Sequence, residues 1–203
     1  MKTSVEDHNQ NMPECPDSVP FAPTEENVPL LERWFLEKFR KLCFNVDAEP
    51  LPTMRTKPQH YHLQKDHKVY RATTPIPVAY HWKEEANAAL DADVRKGILR
   101  KVPVGERTDW CMRMLVVPKH DGSPRRTVDF QPLNKYIDRE IHHTPTPFQV
   151  VSSIPPKMYK TVLDAYNGYH QVPLDEESSK MTTFITEKGL YQLKSPSRQC
   201  VVG

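Results

Sequence analysis

Residues 160–178 read KTVLDAYNGYHQVPLDEES, and the placement of one acid within this stretch decides the reading of the fold. Val162 and Leu163, following Met158 and Tyr159, have the β-branched and aromatic character of a strand. Asp164 falls where that strand gives way to Asn167-Gly168, a turn signal. The pattern predicts a carboxylate held by a sheet but facing open space. Such a group suits a divalent cation, because magnesium takes one or two protein carboxylates and fills its shell with water and phosphate oxygens. In isolation the same residue also reads as an acid that caps its own turn.

Two further blocks flank this stretch. Upstream, residues 110–135 read WCMRMLVVPKHDGSPRRTVDFQPLNK. A strand over 110–118, a turn at Asp121-Gly122 and a strand over 125–130 predict a β-hairpin with Lys119, His120, Arg125 and Arg126 around its tip. Arg126 alternates to the face opposite Arg125, which makes it a solvent or template-backbone contact, or simply surface. Downstream, residues 181–196 read MTTFITEKGLYQLKSP. They predict a second hairpin, 181–186 with 190–194, around Lys188-Gly189, after a short helix capped by Asp175.

In this order and spacing the three blocks resemble the reverse transcriptases of gypsy-like LTR retrotransposons, from about residue 30 to residue 193. The resemblance implies an α+β fold, the fingers and first part of the palm of a right-hand polymerase. It implies a partial one, because the family continues with a Gln-Gly pair and a Tyr-x-Asp-Asp hairpin where this chain has SRQCVVG. The family enzyme is an RNA-directed DNA polymerase within a Pol polyprotein, working on an RNA or DNA template-primer with deoxynucleoside triphosphates (dNTP) and Mg2+.

Carried over by resemblance, Asp164 is the catalytic carboxylate and a metal ligand, and the backbone carbonyl of Ala165 also faces a metal. Lys119 and Arg125 hold the incoming triphosphate, a point charge and a bidentate fork that complement each other on phosphate oxygens. Tyr169 lies under the nucleotide sugar, although a ring packed beneath the turn fits the same position. Asn134 and Asp129 are assigned to the base of the first hairpin. Two-metal chemistry needs converging carboxylates, so the chain alone is expected to hold magnesium weakly and to be inactive. The rival reading is a non-enzymatic module, derived from a retroelement, that binds nucleic acid or protein through the basic hairpin. A degenerate reading frame is the third.

Charge and composition set the frame for these readings. The apolar fraction is 37%, and 20 prolines against 6 glycines predict many stiff extended connections. The net charge of +2 hides an asymmetry: residues 1–60 carry 7 basic and 10 acidic side chains, whereas residues 96–135 carry 9 and 4. That excess suits a polyanion or a solvated basic face. Cys15, Cys43, Cys111 and Cys200 are too dispersed for a zinc pattern or a disulfide framework. His60 with His62, and the pair His142-His143, lack partners at ligand spacing. No apolar run approaches a membrane span, so no membrane partner is expected, and the localisation expected is intracellular, in cytoplasm or nucleus.

Along the chain, residues 1–28 are read as a disordered lead-in and 29–79 as a helix followed by an extended spacer. Residues 80–196 are read as reverse transcriptase fingers and partial palm, and 197–203 as a divergent tail. The first helix signal runs from Asn27 through Pro29, Leu31, Trp34, Phe35, Phe39 and Leu42. Residues 47–78, rich in Pro, His and Tyr, are expected to thread across the surface. A second helix over 82–96 carries Trp82, Ala86, Ala89, Leu90 and Val94 on one stripe and stops at Gly97. A strand over 98–102 follows. Thr146-Pro147 opens a short helix through Ile154.

Overall fold

The structure is a computed structural model that describes residues 18–39, 50–138, 144–156 and 164–195. The chain divides into two compact units, Met1–Ala48 and Glu49–Gly203. In the first, a 3-10 turn over Glu25–Asn27 leads into α1, Val28–Phe39. Asn27 ends the turn and donates its side-chain amide to the Ala22 carbonyl at 3.0 Å. The apolar spacing of α1 brings Trp34, Phe35 and Phe39 together, with Phe35 and Phe39 centroids 4.8 Å apart.

The second unit is built on one five-stranded mixed sheet. Its elements are α2 (Tyr80–Arg95), β1 (Leu99–Lys101), β2 (Met112–Pro118), β3 (Pro124–Asp129), α3 (Gln131–Asn134), α4 (Pro147–Ser153), α5 (Gly168–Gln171), α6 (Glu176–Met181), β4 (Phe184–Thr186) and β5 (Gly189–Leu193). The strand order is β1-β5-β4-β2-β3. All neighbours are antiparallel except β2 and β4, which run parallel with Met112 opposite Phe184. Two parallel strands cannot be joined by a tight turn. The 65 residues from 119 to 183 make that crossover, and the Asp164 stretch lies on it. This is the α+β architecture expected, with helices against a sheet.

Local chemistry explains each boundary. α2 ends in a Schellman motif: Gly97 sits at φ +72, its N–H bonds the Val94 carbonyl, and Ile98 N–H reaches back to Asp93. α4 opens with a full capping box, Thr146 accepting from Gln149 N and the Gln149 side chain accepting from Thr146 N. Asp175 caps α6 by accepting from Ser178 N at 2.8 Å. That helix runs through Met181, so the second hairpin starts only at Phe184; Thr182 and Thr183 turn their hydroxyls onto the carbonyls of Ser179 and Lys180 and close the helix.

The core gathers Leu90, Met112, Leu133, Phe184 and Tyr191, each no more than 2% exposed, from five different elements. Of the α2 stripe, Ala86 and Leu90 are buried, whereas Val94 near its end is exposed. The stretch expected to thread across the surface is extended but contributes to the core: Leu51 and Tyr61 are 7% and 3% exposed. It forms isolated bridges, Gln59 with Leu174, Leu63 with Ile137 and Arg71 with Cys111. Most of its other described side chains are exposed, as expected of a chain that threads across the surface. The strand read at 158–163 lies outside the described residues, as do the lead-in before residue 18 and the tail.

Candidate nucleotide and nucleic-acid site

The first hairpin is positioned from its base. Met112 and Met114 are buried, and exposure rises outward until Val117, Pro118 and Lys119 face solvent. At the tip, Lys119 N–H bonds the Ser123 carbonyl at 2.8 Å and Gly122, at φ +80, donates back to Lys119. Asp121 accepts from the Ser123 amide at 3.0 Å and hydroxyl at 2.6 Å, and these bonds hold its carboxyl below the usual carboxylate range. Asp121 is therefore a turn residue, as read.

The register places Arg125 opposite Val117 and Arg126 opposite Val116. Their fates differ. Arg125 is exposed, and among the described residues neither it nor Lys119 has an ion-pair partner. Arg126 turns inward and pairs with Asp93 of α2 at 2.5 Å, both side chains about three-quarters buried. The reading of Arg126 as a solvent or backbone contact is thus corrected: α2 lies across that face of β3 and presents a carboxylate there. At the hairpin base Asp129 accepts from Gln131 N and starts α3, the role assigned to it.

The acidic stretch forms a second, separate feature. Asp164 and Ala165 are exposed and sit in irregular backbone at the head of a tight turn. Asn167 adopts the left-handed region at φ +50, the sole non-glycine to do so among the described residues. Gly168 N–H bonds the Ala165 carbonyl at 3.2 Å, and His170 N–H bonds Asn167 at 2.8 Å. A Cβ at Gly168 would lie 3.0 Å from Ala165 Cβ, a tight approach that glycine avoids. The ring of Tyr169 is 54% exposed, so the packed-beneath alternative does not describe it.

A metal needs more than this turn supplies. Asp164 offers one hard carboxylate, and the Ala165 carbonyl keeps a second lone pair beside its turn hydrogen bond. That donor set fits magnesium as half a site. Among the described residues no group of three or more His, Cys, Asp or Glu could hold a metal ion. His60 and His62 contact each other edge-on at 4.6 Å, and His60 Nδ1 bonds Asp175 at 2.5 Å, so this pair belongs to a helix cap.

Two residues not singled out by sequence reading join these features. His170 is substantially buried behind the turn, and desolvation holds its imidazole below the ordinary range; Asp93 opposes that shift and Arg126 adds to it. Lys96, at the end of α2, carries its ammonium over the Tyr166 ring at 6.0 Å. Neither is legible from spacing, since His170 lies 77 residues from Asp93 and 44 from Arg126, and Lys96 lies 70 from Tyr166. A cavity of about 620 Å3 lies elsewhere, lined by Arg100, Glu106, Arg107, Asp109, Glu176 and Lys180 among others, and holds none of the predicted residues. Its charges largely cancel: Arg100 pairs with Glu106, and Lys180 with Glu176.

No protein-family model matches the chain. In sequence it is similar to the retrovirus-related Pol polyprotein from transposon 412 of Drosophila melanogaster, 27% identical over 181 residues, which covers 83% of this chain and 14% of that polyprotein. In structure it is similar to a foamy viral protease-reverse transcriptase solved in complex with double-stranded DNA, at a TM-score of 0.67 and 18% identity over 88% of this chain and 30% of that one. A foamy viral protease-reverse transcriptase with an RNA/DNA hybrid matches at a TM-score of 0.60 and 17% identity, over 80% of this chain and 22% of that one. The chain thus has the α+β fold of these retroviral proteins and is similar in sequence to retrotransposon Pol polyproteins, of which it spans a small part.

Proposed function

We propose that the chain is the fingers and first part of the palm of a gypsy-like retrotransposon reverse transcriptase, contributing to an RNA-directed DNA polymerase and inactive alone. The observation that supports this most is the exposed pair of cations at the first hairpin tip, within a fold shared with protease-reverse transcriptases. Among the described residues neither Lys119 nor Arg125 has an ion-pair partner, the charge of Lys119 acting only through space on Asp121 of its own turn, while Arg126, one residue on, is paired with Asp93. An exposed cation pair on a β-hairpin is suited to phosphate oxygens. In this reading they hold the triphosphate of a dNTP, Tyr169 offers a ring beneath its sugar, and Asp164 with the Ala165 carbonyl holds one side of a magnesium site. Bound there, the ion would neutralise developing phosphate charge. RNA or DNA template-primer and the remainder of a Pol polyprotein are the partners.

The rival reading for the chain by itself is a retroelement-derived module that binds nucleic acid or protein without catalysis, through the same exposed Lys119 and Arg125. Primer extension separates the two. The 203-residue chain should give no product above a no-protein control. The chain joined to a homologous palm continuation should extend a primer, and Asp164→Asn should abolish extension while leaving template-primer binding intact. Normal extension by Asp164→Asn in that joined enzyme would remove Asp164 from the chemistry.

A further inference from the structure

We infer that Gln171 is the positioning residue of the Asp164 turn, and that it fastens the turn to the extended segment preceding α2. The purpose of that fastening rests on the proposed role of Asp164; the fastening itself rests on hydrogen bonds. Asp164 and Ala165 are exposed and outside any regular ladder, so little in their own backbone fixes where the carboxylate points. A metal-holding group must be placed within about 0.5 Å, which calls for support from neighbouring residues.

Gln171 supplies it in two directions. Its side-chain Nε2 donates to the Tyr166 carbonyl at 2.7 Å, closing the turn from inside. Its main-chain carbonyl accepts from Met54 N–H at 2.7 Å, tying the turn to the chain far upstream. The upstream segment is itself well anchored. Leu51 N–H bonds the Lys96 carbonyl at 2.9 Å, Gln59 N–H bonds Pro173 at 2.8 Å, and Tyr61 N–H bonds the buried Ser178 hydroxyl at 2.7 Å. Lys96 in turn reaches over Tyr166. The turn is therefore clamped between α2 and the extended segment, and Gln171 is the residue that carries both a bond within the turn and a bond across to the clamp.

The test uses the 203-residue chain and two readouts, amide hydrogen exchange at single residues and broadening of turn resonances by Mn2+. Gln171→Met keeps length and removes the donor; Met54→Pro removes the upstream N–H in a segment already extended. Both should speed exchange at Gly168 and His170 several-fold and weaken Mn2+ broadening there, with Phe184 and Tyr191 amides and the melting temperature unchanged. Gln171→Lys, which returns a donor of similar reach, should recover part of the protection. Wild-type exchange at Gly168 and His170 in both variants would overturn the inference. So would equal acceleration of all amides in Gln171→Met, which would make it a general stability residue. Absence of Mn2+ broadening in the wild type would remove the metal role of Asp164, and the exchange pattern alone would then decide the positioning role.

Discussion

The two hairpins of the sheet have the same plan and opposite ends. The short one, β4–β5, buries Phe184, Tyr191 and Gln192 and neutralises its turn. Lys188 pairs with Asp91 at 2.9 Å and Glu187 with Lys83 at 2.6 Å, both partners on α2. Those hydrogen bonds hold the Asp91 and Glu187 carboxyls below their ordinary range. In the long hairpin, β2–β3, Arg126 meets Asp93 of α2 in the outer half of its strand, opposite Val116. Arg125, one residue nearer the tip, takes the opposite face of the strand and has no ion-pair partner among the described residues. The face a side chain takes thus separates charges that are structural from charges that remain available to a polyanion.

The largest test breaks the packing side of that contrast. Phe184→Ala, at 2% exposure in the short hairpin, should cost about 3–5 kcal/mol, because it leaves a cavity where β2 and β4 pair. Val117→Ala near the long hairpin's tip, where the side chain is 40% exposed, should cost no more than about 0.5 kcal/mol. Urea unfolding measures both, and equal losses would mean that the long hairpin is held along its whole length.

A smaller effect tests the charges. Lys119→Ala with Arg125→Ala should leave the urea midpoint unchanged. It should lower the salt slope of single-stranded nucleic-acid binding by about 1.5, the contribution of two phosphate contacts. Lys188→Ala, on the short hairpin, should leave that slope unchanged, since its ammonium is already paired. Fluorescence titrations at several salt concentrations report the slope, and equal slopes for all three proteins would erase the functional difference between the two tips.

The smallest effect sharpens the distinction between the paired Arg126 and the exposed Arg125 of the long hairpin. His170, near Asp93 and Arg126 and 3.4 Å from the Ser195 hydroxyl, has its folded pKa depressed by burial. The unfolded chain therefore binds a proton that the folded chain resists, and stability should fall as pH drops below about 6.5. His170→Leu should flatten that limb of the urea midpoint against pH. A wild-type midpoint that is constant between pH 7 and 5 would show that the folded protein does not resist protonation of this group.

Much of this was legible beforehand, for reasons that can be located. The Gly97 stop, the helix start at Thr146-Pro147 and the Asp175 cap are legible because helix ends depend on chemistry within a few residues. Both hairpins were found from their Asp121-Gly122 and Lys188-Gly189 turns, which need positive φ at glycine. The second was begun too early, since Thr182 and Thr183 have strand propensity but bond back to a helix that precedes them. The surface course of the 47–78 segment is legible, whereas its few buried anchors are not, because their partners at Cys111, Ile137 and Leu174 are distant in sequence.

For the candidate site, the sequence by itself determined Asp164 beside a turn and a cluster of cations beside another, and its resemblance to reverse transcriptases singled out Lys119, Arg125 and Tyr169. Only the tertiary structure decided which of those charges are spent. Arg125 and Arg126 are neighbours with identical side chains, and β-alternation says merely that they face opposite ways. That α2 lies on one of those faces with Asp93, and that Gln171 and Met54 meet behind the Asp164 turn, follows from how distant elements pack on the sheet. Such contacts have no local period to be read, because they are fixed by the burial of Leu90, Met112 and Phe184 in a common core.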